Sequence, residues 1–171
     1  MIYSLNGKTP QVGDNVFIAP TATIIGEVTI GKDSSVWFNA VIRGDVNSIT
    51  IGDKVNIQDN VVVHCTYQKT KTKIGNNVSI GHNAIIHGCT IEDNVLIGMG
   101  AIIMDNCHIQ SNSIIAAGAV VLENTIVEEG SVYAGIPAHR VKQISPDLLE
   151  QEIHRIADNY VFYADWYKDF K

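Results

Sequence analysis

Cysteine is scarce: the 171 residues hold three, Cys65, Cys89 and Cys107. An odd number, with no C-x-x-C pair, argues against a disulfide framework and against a thiolate metal site. The three read as reduced thiols of a cytoplasmic protein, Cys65 as a small packing residue. Long apolar runs are missing too. No stretch nears the roughly eighteen apolar residues of a membrane span, and the opening MIYSLNGKTPQVGDN lacks the basic start and apolar run of a secretory signal. Positive charge is thin. The net charge is −6, and the twelve Lys and Arg are scattered apart from Lys69, Lys71 and Lys73. Neither nucleic acid nor a membrane is an expected partner.

What is abundant is Ile and Val at a fixed spacing. From Val12 every sixth residue is one or the other: Val12, Ile18, Ile24, Ile30, Val36, Ile42. The series resumes after a short insertion at Ile51, Ile57 and Val63, and after a longer one at Ile74, Ile80 and Ile86. One deletion later it runs from Ile91 through Ile97, Ile103, Ile109, Ile115 and Val121 to Val127. A helix repeats every 3.6 residues and a half-buried strand every 2; six fits neither alone. It fits short strands joined by sharp corners, where Gly, Asn and Asp tolerate the tight backbone. Three such strands close one turn of a parallel β-helix, so stacked residues lie eighteen apart plus any insertion. A solenoid of this length buries one continuous aliphatic core, and a second domain is not expected.

The β-helix should occupy residues 1–134, with repeats from about 12, followed by a connector over 135–145 that starts at the breaker Gly135-Ile136-Pro137. Ser145, Pro146 and Asp147 read as an N-cap, a first helical proline and an acidic first turn. Leu149, Ile153, Ile156, Tyr160, Tyr163 and Tyr167 follow at helical spacing. The segment 146–171 is therefore expected to carry a helix from about 146 to 168, packed on the solenoid, capping its open end and belonging to the same domain.

Three histidines fall at informative places in this frame. His64 follows Val63 and His87 follows Ile86, each the third aliphatic residue of its coil. The two are 23 apart, one turn plus the five-residue insertion around Tyr67 to Lys71. They should stack about 4.8 Å apart, the spacing of paired strands, where two imidazoles can share one metal ion. Their column reads Arg43, His64, His87, Met104. His82 stands two residues after Ile80, on another face, stacked on Asp59. It would struggle to reach the pair in its own chain, but a neighbouring copy packed side by side could present it. A threefold axis would make three such sites, which suits a homotrimer. His108, His139 and His154 have no such partner and read as structural.

The spaced combination Arg43-Gly44-Asp45, Asn56-Ile57-Gln58-Asp59, His64, Gly81-His82-Asn83 and His87-Gly88-Cys89 resembles the γ-class carbonic anhydrase family. The underlying repeat resembles the hexapeptide pattern of left-handed β-helices, and handedness is taken from that resemblance. The resemblance implies reversible hydration of carbon dioxide to bicarbonate by a metal-bound hydroxide, at interfaces where one subunit gives the first and third histidines and its neighbour the second. Zn2+ is the implied metal, with Fe2+ and Co2+ as alternatives. Gln58 would hydrogen-bond the bound water or bicarbonate, Asn56 would orient that network, and Tyr160 falls where short members carry a tyrosine near the metal. Arg43, Asp45 and Asp59 match the family's charged interface residues; Arg43 and Asp45 also read as an ordinary ion pair at the subunit interface.

One departure bears on rate. The most active members carry an acidic loop that passes protons to solvent, whereas here Thr66-Tyr67-Gln68-Lys69-Thr70-Lys71-Thr72-Lys73 contains no carboxylate. Weak or buffer-dependent activity is the expectation. Two other functions compete. Tyr133-Ala134-Gly135-Ile136-Pro137-Ala138 resembles a segment at the end of hexapeptide acyltransferases, though these do not need three histidines in metal register. A noncatalytic, metal-stabilised trimeric scaffold would use the same three to hold subunits together.

Overall fold

The computed structural model describes residues 1–168 and is a three-faced β-solenoid. One face stacks Val62–His64, Ile85–His87, Ile102–Ile103 and Val120–Val121 in parallel. A second stacks Thr72–Ile74, Thr90–Ile91, His108–Ile109 and Ile126–Val127. Thr23–Ile30 and Val41–Ile51 are long enough to round the corner between these faces, so both belong to one sheet. The third face is a separate sheet running from Phe17–Ile18 through Ser35–Val36, Asn56–Ile57, Ser79–Ile80, Leu96–Ile97 and Ile114–Ile115 to Ser131–Ala134.

The period of six has a direct physical cause. Each face contributes a strand whose aliphatic residue points inward, and Ile24, Ile42, Ile57, Ile80, Ile86, Ile97, Ile103 and Ile109 are fully buried in one ladder. Corners need a left-handed residue, which asparagine tolerates better than most side chains. Asn39, Asn60 and Asn83 turn one corner with φ of 60°, 60° and 62°, and Asn77, Asn94 and Asn112 turn another. This corner chemistry fixes which residue of each coil faces out, and so places His82 directly before a left-handed turn.

The C-terminal segment differs from expectation in three respects. Ser145 caps the helix as expected, its hydroxyl accepting from Leu148 N at 3.2 Å. The helix then runs α over Pro146–Leu148, opens into a wider π-helical turn over Leu149–His154, and returns to α over Arg155–Asp165, ending before 168. Residues 169–171 of the expected segment lie outside the described residues. The helix also does not plug the open end. It lies along the third face, because the outward residues there are apolar: Ile153 packs with Ile114 and Val132, and Tyr160 and Tyr167 pack edge-on against Trp37. Finally, the span taken as connector contains the strand His139–Gln143, antiparallel to Ser131–Ala134 and closing that edge of the sheet.

Candidate metal centre

His64 and His87 are directly paired in the ladder between Val62–His64 and Ile85–His87. Their facing nitrogens, His64 Nδ1 and His87 Nε2, are 3.2 Å apart. Two nitrogens on one tetrahedral ion, each about 2.05 Å from it, would be about 3.3 Å apart. The pair therefore already has the spacing of two corners of such a site.

Each of the three candidate histidines has a carboxylate behind it. His64 Nε2 is 2.8 Å from Asp45 Oδ1, His82 Nδ1 is 2.8 Å from Asp59 Oδ2, and His87 Nδ1 is 2.6 Å from Asp105 Oδ1. A carboxylate on one ring nitrogen holds the proton there and leaves the other nitrogen as a lone-pair donor. Three imidazoles prepared in this way fit a divalent ion of borderline softness. No three His, Cys, Asp or Glu groups converge on one point among the described residues of the single chain. His82 stands at the corner between the third face and the His64/His87 face, away from the pair, as its register with Asp59 requires.

The remaining candidates sort by which histidine they serve. Asp45 pairs with Arg43, as expected, and in addition holds His64. Burial pushes its carboxyl up, but the hydrogen bonds to His64 and Arg43 and the Arg43 charge outweigh this and hold it below the usual carboxylate range. Asn56 and Gln58 are buried, at 2% and 4% exposure, on the His82 side. Gln58 Oε1 accepts from His82 N at 3.2 Å, Gln58 Nε2 donates to Asn56 Oδ1 at 2.9 Å, and Asn56 Nδ2 donates to Ser79 Oγ at 2.7 Å. Tyr160 lies on the same side. It shares a pocket of about 200 Å³ with Trp37, Phe38 and Asp59, and burial, aided by Asp59 and Tyr163, pushes its phenol up to about 12.

Sequence reasoning missed Asp105, together with Thr66 and Thr70. Asp105 Oδ2 accepts from Thr66 Oγ1 at 2.5 Å, and Thr70 Oγ1 is 3.4 Å from Oδ1. Burial pushes this carboxyl up, yet the hydrogen bonds from Thr66, His87 and Thr70 hold it below its ordinary range. Spacing alone pointed elsewhere: the register Ile86 with Ile103 sets Met104 against His87, and Asp105 lies one residue further on. Cys65, next to His64, is fully buried in the aliphatic core, and burial pushes its thiol up. Of the other histidines, His108 pairs with Glu92 at 2.7 Å and His154 with Glu150 at 3.0 Å.

Comparison with known proteins agrees with this fold. Residues 9–44, 71–103 and 88–123 match the family described as bacterial transferase hexapeptide (six repeats). A protein of Geobacillus kaustophilus named carbonic anhydrase is 47% identical over 98% of this chain and 91% of its own length. Gamma carbonic anhydrase 2, mitochondrial, of Arabidopsis thaliana is 42% identical over 90% of the chain, which spans 57% of that longer relative. The crystal structure of a hexapeptide transferase family protein from Anaplasma phagocytophilum superposes with a TM-score of 0.93 at 38% identity, covering 98% of each chain. With the repeat, the paired histidines and a carbonic anhydrase this similar over nearly its whole length, the chain belongs to the γ-class carbonic anhydrase-like family of left-handed, hexapeptide-repeat β-helices.

Proposed function

We propose that the protein catalyses the reversible hydration of carbon dioxide to bicarbonate as a homotrimer. His64 and His87 of one subunit and His82 of its neighbour hold a divalent metal between them. The carrying observation is the pair of facing imidazole nitrogens 3.2 Å apart, with a carboxylate behind each candidate ligand. Zinc, or ferrous or cobaltous ion, would when bound supply the Lewis acidity that brings the pKa of a water down to roughly 7.

The chain's own residues do the rest. Asp45, Asp59 and Asp105 keep the ring protons on the outer nitrogens, so the inner ones stay free to ligate. Gln58 has given one amide hydrogen to Asn56, and the other is left to fix the direction of the nucleophile's lone pair. Asn56, itself anchored on Ser79, prevents that amide from turning over. Tyr160, whose phenol stays neutral at physiological pH, lines the approach beside Asp59 and excludes bulk water from that side. Proton export is the weak step. The insertion after His64 has no carboxylate, and both oxygens of Asp105 are already occupied by donors. Turnover is therefore slow unless external buffer carries the proton. The three unpaired, buried cysteines support a reducing, cytoplasmic location.

The test combines anaerobic metal analysis, trimer mass and stopped-flow hydration on the wild type and on His82→Ala. An intact trimer that loses both metal and hydration on substitution bears the reading out. A metal-loaded wild-type trimer without hydration at any buffer concentration would sink the catalytic claim and leave the scaffold. The acyltransferase reading has in its favour the transferase descriptions of the matched hexapeptide family and of the similar Anaplasma structure. Consumption of acetyl-coenzyme A by metal-free protein would favour it.

A further inference from the structure

The insertion that lacks a proton carrier is fastened to the third histidine. Asp105 lies 39 residues from Thr66 in sequence, on a later coil, yet its Oδ2 accepts from Thr66 Oγ1 at 2.5 Å while its Oδ1 accepts from His87 Nδ1 at 2.6 Å. Thr70 Oγ1 stands 3.4 Å from the same carboxylate and accepts from Thr66 N at 2.9 Å. Lys69 N and Thr70 N both donate to Thr66 O at 3.2 Å, so the loop folds back on the residue that Asp105 grips. At its far end Thr72 Oγ1 donates to His64 O at 2.6 Å and accepts from Gly88 N at 3.0 Å. One end of the insertion is therefore held by the carboxylate behind His87, and the other by the backbone of His64 and Gly88.

We infer that Asp105 is a positioning residue that couples the Thr66–Lys71 loop to the metal centre, so that metal binding orders the loop and loosening the loop weakens metal binding. The physical reason lies in the ring of His87. A metal on Nε2 requires the proton on Nδ1 and draws electron density from the ring, which makes Nδ1–H a stronger donor to Asp105. A carboxylate held more firmly by His87 is in turn a more firmly placed acceptor for Thr66. Coupling of this kind is reciprocal by thermodynamic necessity: whatever free energy the ion gives the loop, the ordered loop returns to the ion. A loop serving only to connect two coils would end on backbone groups at both ends, whereas one end of this loop is held by the carboxylate that also holds a ring nitrogen of His87. The inference rests on the reading of His87 as a metal ligand.

The experiment uses the intact protein, zinc as the probe, and three variants: Asp105→Asn, the near-isosteric Thr66→Val/Thr70→Val pair, and Glu92→Gln. The last breaks an analogous carboxylate–histidine contact on the second face, at His108. Amide exchange of residues 66–71 is followed with and without zinc, and zinc affinity is measured by competition with a chromogenic chelator. Zinc should slow exchange across the loop in the wild type and in Glu92→Gln. In the other two proteins that slowing should vanish, and affinity should fall by about 10- to 100-fold, the usual effect of losing an outer partner of a ligand. Should Asp105→Asn fail to fold, the threonine pair decides the matter by itself. Loop exchange indifferent to zinc in a wild type that binds it, or variants that bind zinc as tightly as the wild type, would overturn the coupling alone. A wild type that binds no zinc would overturn the metal reading and this inference with it.

Discussion

Gly88 offers the sharpest quantitative check, because one methyl group there collides with the carboxylate behind His87. Its φ is +56°, and a Cβ added to it would overlap Asp105 Oδ1 and Thr70 Oγ1 and come within 2.8 Å of Thr70 Cβ. Two costs follow from Gly88→Ala. The left-handed backbone costs an L-residue about 1 to 2 kcal/mol, partly offset because alanine restricts the unfolded chain by about 0.4 to 1 kcal/mol. The overlap then forces the Asp105 carboxylate off His87, and a hydrogen bond to a charged group contributes about 1.5 to 3 kcal/mol. Gly100 separates these terms, since it has φ of +67° but nothing within 4 Å of an added Cβ. Gly100→Ala should cost about 1 kcal/mol, and Gly88→Ala about 3 kcal/mol. The assay is equilibrium urea unfolding at one fixed protein concentration, because oligomer stability depends on concentration. If Gly88→Ala cost no more than Gly100→Ala, the reasoning from the overlap and from the Asp105 contact would be refuted.

Further predictions separate neighbouring residues by the side of the strand they occupy. Ile86→Ala should destabilise the fold by about 2 to 5 kcal/mol, since Ile86 is fully buried in the ladder; Ile85→Asp, one residue earlier and exposed, should leave the fold intact and weaken the proposed trimer, both read by urea unfolding and light scattering. Tyr160 should give a component at about 12 in a phenolate absorbance titration, and Tyr160→Phe should remove that component. Its raised value favours the neutral phenol in the folded state, so its stabilising effect is full below the unfolded value of about 10 and is lost as pH rises toward about 12. None of the three buried thiols should react with an aromatic disulfide reagent in native protein, and all three should react in denaturant; a fast native thiol would contradict the packing role of Cys65.

The stacking of His64 over His87 was legible because a β-helix adds one strand per face per coil, so spacing along the chain converts directly to height. The same arithmetic set His82 against Asp59. It failed where direction, not height, decides. Asp105 sits just past Met104, the residue stacked on His87, at a corner where Asn106 is left-handed with φ of 59°, and its side chain turns back to His87. Asp45 was read correctly as the partner of Arg43, but its second contact, with His64, depends on where two outward side chains meet above the sheet.

The helix divides in the same way. Ser145, Pro146 and Asp147 announced its start, because capping is a local matter of hydrogen-bond donors left unpaired by the first turn. Where it lies was settled by the outward apolar residues Phe17, Trp37, Ile114 and Val132, which are far apart in sequence and form one surface only after the coils stack.

The sequence by itself determined the solenoid, its aliphatic ladder and the histidine register, since each follows from periodic burial of Ile and Val. Only the tertiary structure decided the carboxylates behind His64 and His87, the clasp of the insertion on Asp105 and the course of the helix. Those depend on side-chain directions at corners and on surfaces assembled from successive coils, which no spacing along the chain encodes.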